Sequence, residues 1–247
     1  MNTGNHKILI TGATRGIGLA LLEKFSGLGN AIVAVAKNQD ALDRLKSDHP
    51  DIHTIQADLS DQTSLDKLIH EVKTQHPDIN ILINNAGIQV NFYDKNFGYE
   101  PERTPEWKDE IAINFTSPIE LTHQLIPVLM ANKHPAVINV TSVLAVVPKK
   151  SAPVYCATKS GLHIFTKALR YAYEKTDLKI FEILPPLVDT DMTKGRGKGK
   201  ITPEQLVDEF LVSFKKDRYE VNIGKTKVLR WLQRLFPKMA DNILKNN

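Results

Sequence analysis

Lys7-Ile8-Leu9-Ile10-Thr11-Gly12-Ala13-Thr14-Arg15-Gly16-Ile17-Gly18 decides the fold. The apolar run Lys7–Ile10 reads as a buried strand. The glycine-bearing turn after it opens a helical pattern over Ile17–Leu28. Glycines at a strand-to-helix junction let backbone N–H groups approach a phosphate, and the positive end of the helix favours its charge. An ordinary turn can use the same glycines, so the pattern gains its weight from its position.

Outward from this junction the alternation continues. Further strand candidates are Ala31–Ala36, His53–Gln56, Ile79–Ile83, Ala136–Val140, Lys179–Leu184 and Tyr219–Asn222. Helical patterns such as Leu65–Gln75, Glu106–Met130, Val154–Tyr173 and Glu204–Phe214 lie between them. Ala31–Ala36 and Ile81–Ile83 are apolar throughout, as strands buried on both faces are. Strand and helix taking turns predicts an α/β protein with a doubly wound parallel sheet. The 247 residues are 42% hydrophobic, enough for one large core, and no low-complexity linker divides them. One domain over 1–247 with a C-terminal helical extension is expected.

The net charge of +4 is too small to argue for nucleic acid. A single cysteine, Cys156, excludes an intrachain disulfide and a cysteine metal cluster, and no metal is expected. Ile8-Leu9-Ile10 is too short for a signal-peptide core, and no run has the length of a transmembrane segment. A cytoplasmic location is the expectation.

The choice of dinucleotide is read at the end of the second strand, where an NAD site usually carries an acid. Val35-Ala36-Lys37-Asn38 has none. Lys37, helped by Arg15, suits a 2′-phosphate, although a strand end can carry a solvated lysine. NADP(H) is therefore expected, with NAD(H) the alternative. Asp58 after the third strand could accept a hydrogen bond from an adenine amino group or cap the next helix, a task that suits Asp61 better. Asn84-Asn85-Ala86-Gly87 after the fourth strand suits close approach to a ribose, or a tight turn.

Tyr155 and Lys159 stand four apart on one helix and share a face. An ammonium beside a phenol favours phenolate, which lets the tyrosine exchange a proton with a carbonyl or alcohol oxygen. Ser142, just after the fifth strand, could hydrogen-bond the same oxygen or simply cap a helix. Asn114, between Ile113 and Phe115, needs a partner, and a water joining it to Lys159 would make a proton path. Tyr-x-x-x-Lys alone is common; all four residues gathered at one sheet edge are not.

These motifs resemble the short-chain dehydrogenases/reductases. Thr11-Gly-x-x-x-Gly-Ile-Gly18 is similar to that family's cofactor loop, and Asn84-Asn-Ala-Gly87 to its fourth-strand motif. Asn114, Ser142, Tyr155 and Lys159 match its catalytic tetrad in order. The resemblance runs through about Asp191, most closely to a DltE-like subgroup. It implies a Rossmann-type sheet of about seven strands flanked by helices, and hydride exchange between NADP(H) and a carbonyl or alcohol substrate. It also implies cofactor contacts from Gly12, Thr14, Arg15, Gly16, Ile17, Gly18, Lys37, Asp58, Leu59, Asn85, Ala86, Gly87, Tyr155, Lys159, Pro185, Val188 and Thr190. A homodimer or homotetramer, paired through the two long helices, follows from the same resemblance. The departure is Pro185-Pro186, where the family usually has Pro-Gly: Pro186 removes an N–H near the nicotinamide.

A sensor on the same fold would need no proton donor, and a methyltransferase would need neither Tyr155 nor Lys159. The glycine-rich Lys194–Lys200 is expected to be a flexible loop closing over substrate. The pocket roof is expected from Ile88–Pro105 and Met192–Pro203, with Phe92, Tyr93, Phe97 and Tyr99 as an apolar lining. Lys225–Asn247 is basic and partly amphipathic. It reads as a C-terminal helix beside the substrate cleft or a second subunit, in preference to a membrane-surface helix, because Pro237 interrupts it.

Overall fold

The computed structural model describes residues 1–91, 104–195 and 197–245. Its strands are β1 (Lys7–Thr11), β2 (Ala31–Ala36), β3 (His53–Gln56), β4 (Ile81–Asn84), β5 (Ala136–Val140), β6 (Lys179–Leu184) and β7 (Glu220–Asn222). All pair in parallel in the order β3-β2-β1-β4-β5-β6-β7. The order reverses between β1 and β4, which opens a crevice at their carboxyl ends.

The helices are α1 (Gly16–Ser26), α2 (Gln39–Asp48), α3 (Gln62–Gln75), α4 (Thr104–Ile111), α5 (Ser117–Met130), α6 (Pro153–Ala172), α7 (Pro203–Lys215), α8 (Thr226–Leu235) and α9 (Pro237–Leu244). Successive strand residues face opposite sides of the sheet and bury both. Ile8 and Ile10 pack with Leu21 and Phe25 of α1 and Phe210 and Phe214 of α7. Leu9 packs on the other side with Leu68 of α3 and Leu125 of α5. Phe181 of β6 joins the first core with its ring 4.9 Å from that of Phe214. Asp61 caps α3, accepting from Ser64 N–H at 2.7 Å, which leaves Asp58 for the crevice.

The single helix expected over Glu106–Met130 is corrected to α4, a π turn at Ala112–Thr116 and α5. Pro118 has no N–H for the Asn114 carbonyl, so an unbroken α ladder is impossible there. The Ser117 N–H reaches the Ala112 carbonyl instead, five residues back. Pro237 divides the tail into α8 and α9, because it starts the second helix at its first position. Among the described residues no helix is long and apolar enough to cross a membrane.

Candidate active site

A cleft of about 1570 Å³ runs over the carboxyl ends of β1 to β6. Single small-ligand pockets reach only about 1,000 Å³, so this one has room for a dinucleotide and a substrate. At one end lie Gly12, Thr14, Arg15, Gly16 and Ile17, with Lys37, Asp58 and Leu59 beside them. At the other lie Ser142, Tyr155 and Lys159; Asn85, Ala86, Gly87, Pro185, Val188 and Thr190 lie between.

The glycine turn is held from below. Thr11 Oγ1 accepts from the Asn85 and Ala86 N–H groups, each at 3.1 Å. The Asn85 amide donates back to the Thr11 and Gly12 carbonyls at 3.0 and 3.1 Å. Gly12 has φ +66°, and a Cβ there would sit 2.9 Å from Ala86 Cα, so only glycine fits. Gly18 lies outside the cleft. A Cβ on it would meet the Gly12 carbonyl oxygen at 2.1 Å, so it permits α1 to pack on β1 and does not reach the cleft itself. The first turn of α1 has no side-chain cap and no acid, which leaves its positive end open towards an anion.

Lys37 binds Asp58 at 2.6 Å. That hydrogen bond raises the Lys37 pKa. Burial alone would raise the Asp58 pKa, but hydrogen bonds from Lys37 and Ser60 outweigh it and leave the carboxyl below its usual range. Arg44 of α2 also lines the cleft. Sequence reasoning missed it, since nothing in a helix marks which residue faces back to a distant turn.

Lys159 and Tyr155 are both buried, and the Lys159 ammonium lies 5.8 Å from the centre of the Tyr155 ring. Lys159 donates to the Val140 carbonyl at 2.9 Å. Burial lowers its pKa to about 8, against the attraction of Glu110. Ser142 is extended at the end of β5 and its Oγ accepts from Leu144 N–H at 3.1 Å, so it does cap a short 3-10 turn while lining the cleft.

Asn114 is fully buried. Its Oδ1 accepts from Ile88 N–H at 2.9 Å and its Nδ2 donates to the Ile88 carbonyl at 2.8 Å, which ties down the chain after Gly87. Thr158 takes a further donation from its Nδ2 at 3.3 Å. The side-chain amide is thus committed to protein groups and faces Gly87 and Lys159: a Cβ on Gly87 would lie 3.2 Å from Asn114 Oδ1 and 3.4 Å from Lys159 Nζ.

One turn earlier, Glu110 is fully buried. Its Oε1 accepts from Val90 N–H at 3.0 Å, and its Oε2 has no hydrogen-bond partner among the described residues. Burial raises its pKa to about 7, against the Val90 N–H and the charge of Lys159. The sequence showed only an acid in an amphipathic helix, which gives no sign of burial.

The Lys194–Lys200 segment lines the cleft through Gly197, Lys198 and Gly199, and Lys200 binds Asp189 at 3.0 Å. Val228, Leu229 and Leu232 of α8 close the same side, as expected of a tail packed beside the cleft. Phe92, Tyr93, Phe97 and Tyr99 lie outside the described residues.

Residues 6–200 match the model of the short chain dehydrogenase family. The chain belongs to that family. It is 35% identical over 236 residues to an uncharacterized oxidoreductase, DltE, of Bacillus subtilis, covering 93% of this chain and 92% of that protein. A short chain dehydrogenase from Burkholderia cenocepacia, solved in complex with NADP, superposes with a TM-score of 0.85 at 22% identity over the whole of both chains. One from Burkholderia phymatum, in complex with NAD, gives 0.82 at 16% identity, covering 100% of this chain and 98% of that one. This short-chain oxidoreductase therefore has the fold that its glycine turn and alternating elements predict.

Proposed function

We propose that the protein exchanges a hydride between NADP(H) and a carbonyl or alcohol substrate, with Tyr155 as general acid and base. The observation that carries this is the shared cleft: Ser142, Tyr155 and Lys159 line one end and the Gly12–Ile17 turn the other. The open N-terminus of α1 suits a pyrophosphate. Lys37, Arg44 and Arg15 suit a 2′-phosphate, which would draw Lys37 away from Asp58. The Burkholderia relatives bound to NADP and to NAD keep NAD(H) as the alternative.

When bound, the nicotinamide supplies or receives the hydride. The protein's own residues handle the proton. In reduction Tyr155 gives the carbonyl oxygen its phenolic proton; in oxidation it takes the proton of the alcohol. Ser142 hydrogen-bonds that same oxygen and orients it. Lys159 favours the phenolate and holds the nicotinamide ribose. Asn114 acts one layer back, fixing Ile88 so that Gly87 stays beside Lys159. Two or four copies assemble through α5 and α6, where Met130, Ile164 and Tyr171 present exposed apolar surface.

Tyr155→Phe tests the assignment. On a substrate found by screening carbonyls and alcohols through NADPH absorbance, turnover is expected to fall about a hundredfold to ten-thousandfold. Cofactor affinity should be nearly unchanged, because the ring and its packing remain. Parental turnover in the variant would remove Tyr155 from the chemistry.

A further inference from the structure

We infer that the α8–α9 hairpin is a docking surface for an anionic lipid bilayer, at the mouth of the cleft. On α8, Val228, Trp231 and Leu235 follow the i, i+3, i+7 spacing of one helix face, and each is more than half exposed. Phe236 and Met239, at the turn into α9 and on α9 itself, are also more than half exposed. The Trp231 and Phe236 rings stand 6.4 Å apart, so the apolar surface continues across the turn. A run of exposed aromatic and aliphatic side chains this dense is unusual on a water-facing helix pair and marks a surface that something covers.

Charge decides the occupant. Lys225–Asn247 carries six cations and one acid, Asp241, a net +5 in a chain whose total is +4. The rest of the molecule is therefore slightly acidic, and the positive charge is concentrated on this hairpin. Lys227 and Arg230 are held by Glu209 and Glu220. Lys225, Arg234 and Lys238 form no ion pair among the described residues and remain available. A second copy would set Lys225, Arg234 and Lys238 of one face against the same three cations of the other across a low-dielectric contact, which opposes self-association through this face. A bilayer of anionic lipid meets both needs at once, with headgroup charge for the cations and acyl chains for the tryptophan, phenylalanine and leucine. Val228 lies on both the exposed stripe and the cleft wall, and Leu229 and Leu232 continue that wall, so docking sets the cleft mouth at the membrane surface.

The test is co-sedimentation of the full-length protein with vesicles of phosphatidylglycerol and phosphatidylcholine, and with phosphatidylcholine alone. It needs no turnover, so its outcome is independent of the proposed oxidoreduction. The parent is expected to bind the anionic vesicles at least tenfold more tightly than the neutral ones. Trp231→Ser with Leu235→Ser should lower that binding at least tenfold, and Arg234→Glu with Lys238→Glu should abolish the anionic preference. Val212→Ser, exposed on α7 and away from α5 and α6, should bind as the parent does. All five positions are exposed, and unchanged thermal melting checks that each variant folds. Absence of parental binding to anionic vesicles overturns the proposal, as does parental binding by the Trp231/Leu235 variant. So does light scattering in which those two serines split a parental dimer while neither protein binds vesicles, because a second copy then covers the face.

Discussion

Glu110→Gln is expected to stabilise the protein above neutrality relative to its effect in acid. The carboxyl is fully buried, with one oxygen on the Val90 N–H and the other without a partner among the described residues. Its pKa rises from 4.5 to about 7 because burial disfavours the charged form. Between those two values the folded chain binds more protons than the unfolded one, so this group's contribution to stability falls as pH rises. A separation of about 2.5 pH units, at about 1.36 kcal/mol each, sets a ceiling of about 3 kcal/mol lost above pH 7. Glutamine has nearly the same volume, and its carbonyl can still accept from Val90. Its amide replaces the unpartnered oxygen at a cost of about 1–3 kcal/mol that does not vary with pH. The attraction of Lys159 is already contained in that shift, since it holds the pKa down against burial. Urea unfolding of parent and variant across about pH 5 to 8 reads the effect as the difference between the two proteins, which cancels every other titration. That difference is expected to move by about 2–3 kcal/mol in favour of the variant. A difference constant to within about 0.5 kcal/mol over that range, near the error of the extrapolation, would refute the burial reasoning.

Gly18→Ala should cost about 3 kcal/mol or more and weaken cofactor binding, because the new Cβ would lie 2.1 Å from the Gly12 carbonyl oxygen and must push α1 off β1. A melting temperature equal to the parent's would show that the helix can shift freely. Lys37→Ala should narrow the preference for NADPH over NADH about tenfold, the worth of one charge-assisted hydrogen bond, as measured by calorimetry. Tighter NADH binding by the parent would reverse the cofactor assignment. Light scattering at micromolar concentration should give a multiple of the 27.7 kDa chain mass, and a monomer would count against pairing through α5 and α6.

Patterns local in sequence were legible before any coordinates. The glycine turn, the apolar runs and the Tyr155–Lys159 spacing each depend on neighbours a few residues away, and backbone geometry turns such spacing directly into shared faces and tight turns. Seven strands and a dinucleotide-type crevice follow from them. The C-terminal tail was legible as amphipathic and basic for the same reason.

What the tertiary structure alone decided are the relations between residues far apart in the chain. Lys37 and Asp58 were each read as facing the cofactor, but only the pairing of β2 with β3 brings them within 2.6 Å. Asn114 needed a partner on any reading, and folding supplies Ile88, twenty-six residues away. Gly18 was read as a cofactor contact, and the structure adds that it packs closely on Gly12 and Asn85, a closeness that depends on the angle at which α1 crosses β1. Glu110 gave no signal, because burial belongs to the packing of α4 against α6 and no residue type carries it. Sequence spacing sets which side chains share a face; only the folded chain sets what that face meets, and with it the pKa of a buried acid and the exposure of an apolar helix.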